Sequence, residues 1–187
     1  MKIRYSEKID REIFKEVNKM GKKLTLIFGF KFPKVRFDKR VILIAKTMSK
    51  VAPDFINENK MKNVMKKIYG RNVPEITVYI NTTPFSSWGL VKNKKYLTIS
   101  YGRNNESKFF SAVCHEANHF MYDYCFGTEK YQDTEVKETL TVLNNIFGIK
   151  DKGWDKFSKQ REKILEFYNK TKDFKETINY TRNLFKK

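Results

Sequence analysis

Glycine and proline are scarce in this chain, eight and four among 187 residues, and nowhere do they gather into a linker. A string of domains on flexible joints is therefore excluded. The expectation is one domain over 1–187, with a core at about 38–148, a helix and strand at 1–37 and closing helices over 149–187. Long apolar runs are missing too. The opening MKIRYSEKIDREIFKEV is charged throughout, and no segment reaches the roughly 20 residues that a membrane helix needs. A cytoplasmic protein without a membrane span is expected. Cysteine is limited to Cys114 and Cys125. In one helix these lie roughly 16 Å apart, beyond disulfide reach, so a disulfide scaffold is excluded.

Acidic residues are in the minority, 21 against 39 lysines and arginines, for a net charge of +18. Such a field attracts nucleic acid, anionic membrane or acidic protein. The surplus is scattered from Lys2 to Lys187, and no zinc-finger, G-x-x-G or aromatic RNA-binding signature accompanies it. A contact with DNA or another polyanion and a lysine-rich translation of an AT-rich genome both account for the charge.

What the chain does have is enough apolar material to fold: 40% hydrophobic residues and 15% aromatics. Ser6 is a candidate N-cap for an amphipathic helix over 6–20, with Ile9, Ile13, Val17 and Met20 on one stripe. KKLTLIFGF alternates as a strand would. Two helices follow, broken before Pro53 and stopping near Gly70. ITVYI (76–80), SSWGLV (86–91) and YLTISY (96–101) read as a small, partly antiparallel sheet, with 91–95 as a turn. Helical periodicity returns over 105–125 before Gly127 and over 132–147 before Gly148. Two charged helices, about 154–169 and 172–185, close the chain.

Histidine is the scarcest chemistry-bearing residue, and both copies stand in AVCHEANHFMYDYC (112–125). Residues four apart lie one turn above each other on a helix, so His115 and His119 can direct both imidazoles at one ion. Zinc takes imidazole nitrogen at about 2.0–2.1 Å and prefers four ligands, leaving room for a third side chain and a water. Glu116 lies about 100° round the helix from His115, beside that water and suited to act as base. With no histidine left, the third donor should be a carboxylate. DTEVKETLTVLNNIFG supplies Glu135 and Glu138. Lys137 and Asn144 read as the wet side of that helix, and both glutamates lie off it. Val142 and Ile146 follow Glu138 at four and eight residues, which favours Glu138 and leaves Glu135 as the alternative.

The H-E-A-N-H motif with Glu138 eighteen intervening residues later resembles the zincin metallopeptidases of the gluzincin type, whose third zinc ligand is a glutamate on the following helix. SSWGLVKNKKYLTISYG resembles the upper sheet of that family. KETLTVLNNIF is similar in spacing to the glutamate helix of the ImmA/IrrE-type cytoplasmic metallopeptidases, and the likeness covers about 75–148. The resemblance implies an α+β fold: a small mixed sheet with backing helices, the histidine helix, the glutamate helix and a helical C-terminal cap. It implies one zinc ion on His115, His119 and Glu138, with Glu116 as general base and acid in hydrolysis of a peptide or protein substrate. It also implies that Ser86, Ser87, Trp88 and Gly89 form an edge that pairs with an extended substrate. A histidine for the oxyanion is unavailable, which leaves Tyr124, Tyr131, Tyr168 and Tyr180. The thermolysin-like Asn-Ala pair of the edge strand is absent.

Two other readings compete. Peptide deformylases carry H-E-x-x-H but take a cysteine from an E-G-C-L motif, and this chain has none. A basic nucleic-acid-associated protein, its metal site structural or inactive, would explain the charge but not the paired histidines.

Overall fold

A computed structural model of the chain describes residues 1–28, 39–84, 86–88, 96–128 and 132–186. In chain order they form β1 (Lys2–Tyr5), α1 (Glu7–Phe28), α2 (Ile42–Val51), α3 (Glu58–Tyr69), β2 (Thr77–Asn81), β3 (Ser87–Trp88), β4 (Tyr96–Ser100), α4 (Glu106–Phe126), α5 (Thr134–Leu140), α6 (Ser158–Thr171) and α7 (Phe174–Leu184). Short 3₁₀ segments flank α2, and another, Thr141–Phe147, continues α5. Two compact units result: Met1–Asn57 with Glu75–Glu116, and Glu58–Pro74 with Ala117–Lys187. The division falls inside α4, which is continuous across it.

In the first unit the sheet order is β1-β2-β4-β3. β1 and β4 run parallel to β2, and β3 runs antiparallel to β4. The small mixed sheet is thus present, with more parallel pairing than the alternation of YLTISY suggests. Every residue of β4 is buried, as expected of an interior strand covered on both faces. α1 starts where Ser6 Oγ accepts the Ile9 N–H at 3.4 Å, and it buries Ile9, Ile13 and Val17 with Tyr79 of β2 packed against them.

One expectation fails here. Residues 22–28, read as a strand, belong to α1. Once a helix is nucleated each added residue gains one hydrogen bond, and Lys and Leu are good helix formers; a strand would need a partner edge. The strand that does pair with β2 is KIRY at the N-terminus, whose two charged residues are exposed. Gly29 and Phe30, like the 91–95 turn, lie outside the described residues.

A polar knot closes the C-terminal ends of the strands and launches α4. Asp10 accepts from the Thr82 N–H at 2.9 Å and the Thr82 hydroxyl at 2.7 Å. Ser100 Oγ donates to the Thr83 carbonyl at 2.7 Å. Five residues on, Asn105 Oδ1 accepts the Lys108 N–H at 3.0 Å, an N-cap for α4.

The second unit is helical. α3 buries Met61, Val64, Met65 and Ile68, one stripe at 3–4 residue spacing. α6 and α7 are joined by aromatic stacking, with Phe167 on Tyr180 at 4.2 Å and Tyr168 on Phe174 at 4.5 Å between ring centroids. The expected helix over 132–147 is α-helical only to Leu140 and then tightens to 3₁₀. Thr, Val and Asn in TVLNN are weak α-helix formers, and the Thr141 hydroxyl bonds back to the Glu138 carbonyl at 2.9 Å. Gly70, Gly127 and Gly148 end α3, α4 and the 3₁₀ segment with φ of +69°, +65° and +71°, the left-handed turn that glycine alone adopts without strain. No helix among the described residues is long and apolar enough to cross a membrane.

Candidate metal centre

α4 carries His115, Glu116 and His119 within little more than one turn. His115 is partly exposed, whereas Glu116 and His119 are buried. α5 brings Glu138, also buried, to His119: His119 Nε2 and Glu138 Oε2 stand 3.8 Å apart. That is too long for a hydrogen bond. One donor atom from each of His115, His119 and Glu138 lies within 4.8 Å of the others. Ligands at 2.0–2.1 Å in a tetrahedral shell stand about 3.3 Å apart, so the three need draw in by roughly an ångström or less to share an ion. Two imidazoles and one carboxylate make a donor set that fits zinc with one position left open.

Glu135 is not part of this group. Its carboxylate faces Lys156 Nζ at 3.8 Å on a half-exposed surface. The expected wet side of this helix is not one, because Lys137 and Asn144 are both buried. Lys137 Nζ donates to both carboxylate oxygens of Asp123 on α4 at 2.9 Å. Burial pushes Asp123 up to about 6 and pulls the Lys137 ammonium down, each opposed by the partner's charge. Asn144 Oδ1 accepts from Asn118 Nδ2 at 3.4 Å, and Asn118 Oδ1 accepts from the Tyr69 hydroxyl at 2.7 Å. Burial holds the Tyr69 phenol well above its ordinary range, so it remains a donor.

The remaining expected site residues divide. Ser87 and Trp88 form β3, which among the described residues lies at the edge of the sheet beside β4. Ser86 Oγ accepts the Ser100 N–H at 3.1 Å, so its hydroxyl serves the sheet. Gly89 and Tyr131 lie outside the described residues. Tyr168 and Tyr180 are held in the α6–α7 stacks, and Tyr124 is exposed beside Phe120.

Sequence reasoning missed Tyr69, Asn118, Asp123 and Arg161. Asn118 alone carried a signal, as a polar residue inside the histidine motif. Arg161, from one of the two charged closing helices, is buried, and its guanidinium donates to the Glu138 carbonyl at 3.0 Å. No known protein-family model, curated protein or solved structure matches this chain.

Proposed function

We propose that the chain is a zinc-dependent endopeptidase of the gluzincin type with a zincin-like fold, holding one zinc ion on His115, His119 and Glu138. The observation that carries this reading is the convergence of those three donors within 4.8 Å, two from one helical turn and one from the next helix. When bound, the ion would supply Lewis acidity toward the scissile carbonyl and make water nucleophilic near neutral pH. The protein's own part falls to Glu116. Its carboxylate takes a proton from the water as the oxygen adds to the carbonyl carbon, then delivers that proton to the amine as the carbon–nitrogen bond breaks. Burial of Glu116 limits competing water around its carboxylate.

Edge strand β3 offers backbone groups to an extended peptide, in the manner of strand addition. Among the described residues it pairs on one side only.

The test is metal analysis of the purified protein together with peptide hydrolysis by wild type and Glu116→Gln. One equivalent of zinc with turnover lost in the variant supports the proposal; full turnover by Glu116→Gln sinks it. Stoichiometric iron would point elsewhere, since two histidines and a carboxylate also suit non-haem iron.

The +18 charge favours a second reading, a basic protein bound to DNA or another polyanion with a structural metal. Its mark would be polyanion binding that falls steeply with salt and survives EDTA.

A further inference from the structure

Arg161 lies outside the candidate metal group, yet its guanidinium is wired into the backbone that presents Glu138. Nη1 donates to the Glu138 carbonyl at 3.0 Å and to the Thr141 hydroxyl at 2.6 Å. The same hydroxyl donates to the Glu138 carbonyl at 2.9 Å. Nη2 donates to the Asp151 carbonyl at 2.7 Å and pairs with the Asp151 carboxylate at 3.1 Å. Both charged side chains are buried.

The position is special because α5 ends at Leu140 and the chain tightens to 3₁₀ from Thr141. The last carbonyls of an α-helix lose their i+4 partners, and Glu138 supplies one of them. Arg161 and Thr141 take it over. The direction of a side chain follows from its backbone, so the clamp on this carbonyl also aims the Glu138 carboxylate. Room for the clamp comes from Gly153. Its φ is +62°, and a Cβ there would overlap the Arg161 guanidinium.

We propose that Arg161 is a positioning residue for Glu138, setting the carboxylate where it closes on His115 and His119. This rests on reading those three side chains as metal ligands. Lysine cannot replace Arg161, because one ammonium cannot form the planar fork that serves Glu138, Thr141 and Asp151 together.

The experiment uses the full chain as wild type, Arg161→Lys, Gly153→Ala and the exposed-site control Lys163→Ala. Each is titrated with zinc against a chromophoric chelator and loaded with cobalt(II) for visible absorption, at a temperature where its chelator-treated form is folded. The expected result is zinc affinity 10–100-fold weaker in Arg161→Lys and Gly153→Ala, the range for partners that orient a ligand. Their cobalt spectra should change, while Lys163→Ala matches wild type. If Arg161→Lys does not fold, Gly153→Ala decides, since it keeps the guanidinium and displaces it. Affinity within twofold of wild type with an unchanged cobalt spectrum overturns the positioning role and leaves the metal site standing. A wild type that binds no zinc overturns the metal site itself, and the clamp is then only a tie between helices.

Discussion

Lys137 Nζ sits 2.9 Å from both carboxylate oxygens of Asp123, a buried ion pair joining α5 to α4 one residue before Glu138 and four after His119. Two charges removed from water repay their desolvation only together, and deleting one partner typically costs 3–5 kcal/mol. Lys137→Met is therefore expected to lower stability by about 3 kcal/mol at pH 7 in urea denaturation. The loss should shrink at pH 5, because burial has already pushed Asp123 up to about 6 and its carboxyl accepts a proton there. An equal loss at both pH values would show that the stranded carboxylate is not the cause.

Glu138→Ala and Glu135→Ala separate the two candidate third ligands. Glu138 stands 3.8 Å from His119 Nε2, so its removal should release zinc or weaken binding severely in chelator competition. Glu135 makes a half-exposed pair with Lys156 at 3.8 Å, a type worth about 0–1 kcal/mol. Its removal should leave zinc affinity unchanged. The reverse outcome would move the ligand to Glu135.

How much of this was legible in the sequence can be judged from α4 and α5. Histidine spacing predicts a shared face because helix geometry alone decides it, and Gly70, Gly127 and Gly148 mark their helix ends because a left-handed turn selects glycine locally. Lys137 was misread because its burial depends on Asp123, fourteen residues away. Arg161 escapes notice for the same reason, its partners Glu138, Thr141 and Asp151 lying on earlier segments. KIRY is too short to announce a strand and becomes one through pairing with β2. Local rules reach caps, stops and faces; buried charge is decided by partners that sequence does not place.

Asp10 gives a pH dependence of known sign in the first unit. Burial raises its pKa above the ordinary carboxylate value, opposed by its bonds from Thr82 and Tyr5. The folded state then holds the proton more tightly than the unfolded chain, so Asp10's contribution to stability falls as pH rises from about 4 through the native value. Asp10→Asn removes that titration and keeps an oxygen acceptor for the Thr82 N–H. The melting temperature of wild type minus that of the variant should be larger at pH 4 than at pH 7. No change in that difference would mean Asp10 titrates normally.

Metal removal tests the site without reference to catalysis. His119 and Glu138 belong to successive helices of one unit, and a shared ion would hold them together only in the folded state. A ligand bound solely by the native form stabilises it by RT ln(1 + [L]/Kd), about 4 kcal/mol at a thousandfold excess over Kd. EDTA should therefore lower the melting temperature of wild type by several degrees, and zinc should restore it. Glu116→Gln should respond as wild type does, since its carboxylate is assigned to the proton and not to the ion. Glu138→Ala should lose most of the response. A melting temperature indifferent to zinc in wild type would mean that the convergence of His115, His119 and Glu138 serves packing, and the proposed hydrolase activity would lose its foundation.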